Sequence, residues 1–234
     1  MSRAAGGADR GARQRASALR RAEAARLVAQ KKTLRASEQE RADIAAERAA
    51  FRETVQQLAP ENLVFLDETG VSTKLTRLCA RAPRGQRACG SAPGHWRRVT
   101  VLGALALSGL IAVMTVAAAT DWAVFQAFLQ QVLIPQLQQH KPGATVIMDN
   151  LAAHRMSKAR VLLESAGFHL LALPRHSPDL SPIEPCWSKL KTSLRTAEPR
   201  PTAAIDEELP KALDTITPDD ARNWLRHCGY AVSH

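Results

Sequence analysis

The sequence has no long apolar run and no organised set of cysteines. Its most apolar stretch, residues 99–119, is interrupted by glycine, serine and threonine, so no segment of the 234 residues is long enough to cross a bilayer. The four cysteines form neither a C-x-x-C pair nor a dense framework, which argues against a structural zinc site and against a disulfide scaffold. These absences predict a protein of the reducing cytoplasm without a membrane partner.

Acidic residues are absent from the segment between Val71 and Arg98, although the whole chain has 22 of them. The segment holds seven basic residues, which are Lys74, Arg77, Arg81, Arg84, Arg87, Arg97 and Arg98. An acid-free block in a chain of net charge +10 predicts a polyanionic partner, of which nucleic acid is the commonest. The alternative is a solvated loop that only keeps the protein soluble.

The chain divides by composition into four parts. Residues 1–30 are rich in alanine, arginine and glycine, with almost no large apolar residue, and predict a basic, disordered tail. Residues 31–60 predict a helical linker, because strong helix formers carry apolar residues at near-helical spacing up to Pro60. We expect residues 61–200 to form one domain, with residues 201–234 as C-terminal helices packed on it.

The domain alternates short apolar runs with helical patterns. Runs such as "NLVF" and "ATVIM" predict buried strands, and "RRVTVLGALALSGLIAVMTV" predicts a hairpin that turns at "LSGL". The resulting order is strand, hairpin, helix, strand, helix, strand, helix. The predicted fold class is therefore α/β, a mixed sheet flanked by helices, in which carboxylates at strand ends meet at one edge.

Three carboxylates stand where such a fold would bring them together. Asp67 and Asp149 each follow an apolar run directly, in "VFLD" and "VIMD", so we expect both at strand ends. For either one alone, an aspartate that begins a turn is the simpler interpretation. Glu184 lies in "SPIE", where Ser181 as the N-cap and Pro182 at the first helical position would make it a capping-box glutamate.

Three converging carboxylates can hold two Mg²⁺ or Mn²⁺ ions, because hard cations prefer oxygen ligands. Two such ions, about 3.5–4 Å apart, clamp the attacking and leaving oxygens of an in-line phosphoryl displacement. A basic protein that cuts or joins a nucleic-acid backbone needs this chemistry. The helix after Glu184 has basic residues off its apolar stripe, available to phosphates or simply solvated, and these are Lys189, Lys191 and Arg195.

The motifs "FLDETG", "IMDNLAAH" and "LPRHSPDLSPIEPCWSKLK" together resemble the catalytic motifs of DDE transposases of the mariner superfamily, in the branch carried by bacterial insertion sequences. Between Asp149 and Glu184 lie 34 residues, a spacing common in that superfamily. Three motifs in the same order and spacing are specific. The resemblance covers the chain from about Lys31 to its C-terminal region.

The resemblance implies an RNase H-like fold with a five-stranded mixed sheet. Asp67 would lie on the first strand, Asp149 at the end of the fourth and Glu184 on the helix after the fifth. The implied activity is metal-dependent DNA cleavage at element ends and strand transfer into target DNA, with two Mg²⁺ or Mn²⁺ ions. Asn150 and His154 match the family's "DN...H" motif, which implies positions beside the acids or against DNA. Their alternatives are a turn residue and a helix-start surface residue.

The chain also departs from the family pattern. Members usually begin with helix-turn-helix modules that recognise the element ends, and no such pair of helices fits before Lys31. The resemblance therefore leaves open a truncated copy, or an upstream reading-frame product that supplies the module, and also a homodimer. The alternative function is a catalytically inactive remnant that only binds DNA. An RNase H-like nuclease for RNA–DNA hybrids would share the acids, but the "SPIE" motif argues against it. The implied location is the bacterial cytoplasm, with the nucleoid.

Overall fold

The computed structural model describes residues 36–150, 153–199 and 203–232, without the side chains of residues 153 and 154. The predicted disordered tail, residues 1–30, lies outside the described residues, as do residues 31–35 of the predicted linker. Within the described ranges, no helix is both long and apolar enough to cross a membrane.

The centre of the fold is a five-stranded mixed sheet. Its strands are β1 (Leu63–Ser72), β2 (Arg98–Ala106), β3 (Gly109–Val116), β4 (Thr145–Met148) and β5 (His169–Ala172). They lie in the order β3-β2-β1-β4-β5, with antiparallel pairing from β3 to β1 and parallel pairing from β1 to β5. The predicted hairpin is confirmed as β2–β3, which turns where Gly109 adopts the left-handed conformation.

Seven α-helices surround this sheet among the described residues. They are α1 (Ala42–Gln56), α2 (Trp122–Ala127), α3 (Ile134–His140), α4 (Ala153–Ser165), α5 (Ile183–Ala197), α6 (Ala204–Asp214) and α7 (Pro218–His227). A 3-10 turn, Ser37–Glu40, precedes α1, and a π-helical segment, Phe128–Leu133, joins α2 to α3. A further 3-10 turn, Pro178–Leu180, comes just before α5.

The side chains of β1 alternate between two hydrophobic cores. Leu63 and Phe65 join the core formed with α1, α5, α6 and α7, and we name this side of the sheet the α5 face. Val64 and Leu66 join the core formed with α2, α3 and α4, and we name this side the α4 face. The prediction of an α/β fold with helices on both sides of a mixed sheet is confirmed.

The prediction that Asp67 ends a strand is wrong. β1 continues to Ser72, because its second half pairs with β2 in antiparallel register. The parallel neighbour β4 stops at Met148, opposite Leu66. Asp67 therefore lies in mid-strand, where one edge of β1 becomes open. The position of Asp149, directly after β4, agrees with the prediction.

The interpretation of Glu184 as a capping-box residue is also wrong. Helix α5 begins at Ile183 with Pro182 as its N-cap, and no side chain caps it. The backbone N–H of Ser181, which a capping box would use, already donates to the carbonyl of Pro178 at 3.0 Å. The 3-10 turn before the helix thus removes the local role for Glu184.

Candidate active site

A cavity of about 290 Å³ on the α5 face brings the three predicted acids together. Asp67 enters it from the middle of β1, Asp149 from the end of β4, and Glu184 from the first turn of α5. The remaining polar walls are His176, Ser177 and Ser181, from the loop between β5 and α5. Residues far apart in sequence therefore face one space.

Asp67 is half-buried, and the pKa of its carboxyl departs strongly from the ordinary value. The pKa of its carboxyl is raised to about 7, chiefly by burial and also by the charges of Glu184 and Asp149. Hydrogen bonds from the Glu68 backbone N–H and from Trp187 act in the opposite direction. The repulsion shows that the acids share one electrostatic environment, which a cation placed among them would stabilise.

Trp187 fixes the orientation of Asp67. Its indole Nε1–H donates to Asp67 Oδ2 at 2.9 Å, and its ring is almost fully buried. The ring lies against Gly103 of β2, which pairs with Asp67 in the sheet. A Cβ atom on Gly103 would lie only 2.5 Å from Trp187 Cη2, so the indole occupies space that a larger residue would fill.

The other two acids are exposed and less constrained. Asp149 Oδ1 accepts a hydrogen bond from the backbone N–H of Asn150 at 2.7 Å, which is a local turn contact. Glu184 makes no side-chain hydrogen bond among the described residues, and its carboxylate is free for a ligand. Within those residues, no three His, Cys, Asp or Glu side chains converge closely enough to hold one ion together. The all-carboxylate donor set nevertheless suits Mg²⁺ or Mn²⁺.

The loop between β5 and α5 is held by the rest of the fold on both sides. From the N-terminal side, Arg48 of α1 donates to Ser177 Oγ at 2.6 Å and pairs with both carboxylate oxygens of Asp179. From the C-terminal side, Tyr230 donates its hydroxyl to the carbonyl of Leu180 at 2.6 Å. The cavity wall that precedes Glu184 is thus anchored at several points.

The predicted residues next to Asp149 are only partly placed. Asn150 is exposed at the end of β4, beside the cavity. His154 belongs to the first turn of α4, but its side chain lies outside the described residues.

The basic residues between β1 and β2 lie in an irregular, largely exposed segment, residues 73–97, together with the first residue of β2. Arg97 pairs with Asp206, Arg77 donates to the carbonyl of Thr196, and Lys74 lies over the Trp96 ring. The rest have no ion pair within the described ranges, and these are Arg81, Arg84, Arg87 and Arg98.

On helix α5, Lys189 was predicted to be available to phosphates or solvated. Asp220 of α7 instead binds its ammonium group. Lys191 and Arg195 are partly exposed and make no ion pair with the described residues.

Sequence reasoning missed two residues that shape the cavity. In the sequence Trp187 looks like one more apolar residue of its helix, although it lies three residues after Glu184 and so one turn along the same face. Arg48 was overlooked because it belongs to an otherwise apolar face of its helix. It is buried there, as are Ile44 and Phe51 on either side of it in the sequence. A charged residue at a core position of a helix was the available signal, because such a residue needs a partner when buried.

The mixed five-stranded sheet with helices on both sides is an RNase H-like fold, as the motif resemblance implied. The chain belongs to the DDE superfamily endonucleases, because the profile of that family matches residues 62–204. The matched range contains all three acids and the loop that precedes Glu184. No match is found among curated proteins.

Solved structures of Mos1 share the fold at low sequence identity. The Mos1 strand transfer complex is 17% identical, with a TM-score of 0.66, and the match covers 91% of this chain and 65% of that one. The mariner Mos1 paired end complex with Mg is 16% identical, with a TM-score of 0.65 and coverage of 91% and 68%. The Mos1 transposase catalytic domain with Raltegravir and Mn is 14% identical, with a TM-score of 0.54 and coverage of 87% and 100%. The chain thus spans just under two thirds of the Mos1 chain in the strand transfer complex.

Proposed function

We propose that the chain is a transposase catalytic domain of the bacterial insertion-sequence branch, which cleaves DNA at element ends and transfers the strand into target DNA. The observation that carries this proposal is the single cavity that Asp67, Asp149 and Glu184 line from three separate elements. Membership of the DDE superfamily endonucleases supports the cleavage step. The likeness of the fold to Mos1 in its strand transfer complex supports the joining step.

The three carboxylates would hold two Mg²⁺ or Mn²⁺ ions. Mos1 structures with Mg and with Mn supply the precedent, and the raised pKa of Asp67 fits a site that needs added positive charge. Bound divalent ions would supply Lewis-acid chemistry for an in-line phosphoryl displacement. The chain itself would orient Asp67 through Trp187, and it would use the exposed Asp149 and Glu184 as adjustable ligands.

The DNA would contact the segment between β1 and β2 and the exposed side of α5. Arginine side chains without partners among the described residues can neutralise phosphates and displace counterions, whereas Arg97 and Lys189 are already paired. We assign phosphate contacts first to Arg81, Arg84, Arg87, Arg98, Lys191 and Arg195. Asn150 and His154 would lie beside the acids or against the DNA. A second copy of the chain and an upstream helix-turn-helix product complete the proposed set of partners.

The test is nicking of supercoiled plasmid DNA by the Glu184→Gln variant. The plasmid carries the gene with its flanking DNA, so that the element ends are present even though their sequence is not known. We expect nicking to be lost while folding and DNA binding stay near those of the parent, because Gln keeps the size of Glu184 but not its charge. Glu53→Gln is the matched control, since Glu53 is an exposed acid on α1 that does not line the cavity. Parent-like nicking by Glu184→Gln would show that the assignment is wrong.

A further inference from the structure

We propose that α1 is a brace for the active site and that Arg48 is its positioning residue. The inference rests on the proposed function, because it concerns the loop that places Glu184. Residues 31–60 had been expected to act only as a linker into the catalytic domain. The contacts of α1 with the loop between β5 and α5 assign it a second role.

Arg48 is a buried cation that makes three hydrogen bonds to that loop. Its guanidinium Nη1 donates to Ser177 Oγ at 2.6 Å and to Asp179 Oδ1 at 2.9 Å, and its Nη2 donates to Asp179 Oδ2 at 2.6 Å. Only 9% of its side chain is exposed, whereas 43% of the Asp179 side chain is exposed. The paired oxygens fix the guanidinium in one plane, and this geometry holds both loop residues in fixed positions.

The 3-10 turn before α1 also makes hydrogen bonds to this loop. Gln39 Nε2 donates to the carbonyl of His176 at 2.7 Å and to Asp179 Oδ1 at 3.1 Å. His176 has a φ of 55°, a left-handed conformation that costs free energy in a residue other than glycine. The loop therefore holds a conformation that its own sequence does not favour, and contacts from α1 and its preceding turn help to keep it there.

Two of the braced residues, His176 and Ser177, line the cavity, and Asp179 lies in the 3-10 turn that follows them. Ser177 lines the cavity beside the acids, and it also donates its hydroxyl to the carbonyl of Arg175 at 3.0 Å. The 3-10 turn follows directly, and the backbone N–H of Glu184 then donates to the carbonyl of Ser181. A short, hydrogen-bonded path thus connects Arg48 to the start of α5. Because the Glu184 side chain makes no hydrogen bond or ion pair among the described residues, its position depends on the backbone that this path helps to hold.

A second set of contacts between α1 and the loop provides a contrast. Arg175 pairs with Glu47 and Asp43, but all three side chains are more than 40% exposed. Exposed ion pairs contribute little to stability and are screened by salt. The bracing function therefore belongs to the buried Arg48 and not to the larger number of surface pairs.

The test compares Arg48→Met with Arg52→Met in the full chain. Methionine keeps the apolar stem of Arg48, and Asp179 remains solvated when its partner is lost. Arg52 lies one turn further along α1, is exposed, and makes no hydrogen bond or ion pair with the described residues. The measurements are plasmid nicking rate, half-saturating Mg²⁺ concentration and melting temperature.

We expect Arg48→Met to nick about 10–100-fold more slowly and to require more Mg²⁺, because misplacing a reacting group by about 1 Å costs that much. Arg52→Met should match the parent in both quantities. A lower melting temperature with unchanged rate and Mg²⁺ requirement would overturn the proposal, since a merely structural residue would give that result.

Two further variants keep the outcome decisive. If Arg48→Met does not fold, Arg48→Lys carries the test, because lysine keeps the charge but cannot form the planar fork; a parent-like rate in Arg48→Lys would then overturn the proposal. Glu184→Gln is measured in parallel. An inactive Glu184→Gln beside a fully active Arg48→Met refutes only the brace, whereas an active Glu184→Gln refutes the proposed function.

Discussion

Replacing Gly103 with alanine should disturb the active site without touching any of its acids. Gly103 lies opposite Asp67 in the β1–β2 pairing, and the Trp187 ring covers it. The new Cβ would lie 2.5 Å from Trp187 Cη2 and 3.1 Å from Cζ2. Carbon atoms prefer a separation of about 3.5–4.0 Å, so the ring must retreat by about 1 Å.

The retreat has two measurable costs. Trp187 is only 2% exposed, and overpacking in a buried site typically costs about 1–3 kcal/mol. In a chain of this size the melting temperature should fall by about 2–10 °C. The same shift would stretch the 2.9 Å bond from Nε1 to Asp67 Oδ2, which frees the carboxylate to turn. Loss of a contact that orients a metal ligand typically lowers metal affinity or activity by about 10–100-fold.

The assay pairs plasmid nicking with thermal unfolding. Gly70→Ala is the matched control, because Gly70 lies on the same strand as Asp67 and a Cβ there would meet no atom within 4 Å. Trp187→Phe separates the two effects, since it keeps most of the ring and removes only the donor. Parent-like nicking and melting in Gly103→Ala would show that the added methyl group does not displace the Trp187 ring. Parent-like nicking in Trp187→Phe would show that the hydrogen bond from Trp187 does not orient Asp67.

Two other predictions concern charge. Because the folded pKa of Asp67 is raised from 3.8 to about 7, its stabilising contribution is complete below pH 4 and is lost as pH rises through 7. We therefore expect the free energy of unfolding of Asp67→Asn, measured with denaturant in metal-free buffer, to rise relative to that of the parent by about 2–3 kcal/mol between pH 5 and pH 8. A difference between the two free energies that stays constant over this range would contradict the raised pKa. Replacing Arg81, Arg84 and Arg87 together with alanine should reduce the slope of log affinity for DNA against log salt by about 2–3, at about 0.9 per lost phosphate contact. Arg222→Ala, on α7 and paired with Asp219, should leave that slope unchanged, and an unchanged slope in the triple variant would exclude the segment from the DNA interface.

The strands were predictable because each contains a short apolar run. The position of Asp149 followed because the run that forms β4 ends directly before it. Asp67 was misplaced because the second half of β1, from Asp67 to Ser72, has no apolar run to mark it. That half is a strand only because β2, which begins at Arg98, pairs with it along its whole length. Pairing between distant segments overrides local pattern, which is the usual limit of such reasoning.

The local sequence around Glu184 suggested a capping role that the structure does not show. "SPIE" fits a capping box, but the N–H that a box requires is taken by the carbonyl of Pro178. Lys189 was misread for a similar reason, because its partner Asp220 lies on a different helix. The three carboxylates named from the motifs line one cavity, whereas Trp187, which bonds Asp67, and Arg48, which bonds the loop before Glu184, look structural in the sequence.

The order of the strands also determines when the site can exist. Asp67 leaves the ribosome early, but β4, which lies beside the first half of its strand, comes from much later in the chain, and Glu184 comes later still. Closing such long loops is slow, and it must precede any contact between the acids. A chain still in synthesis therefore has Asp67 without the site. Under the function proposed above, incomplete products would have no nuclease activity.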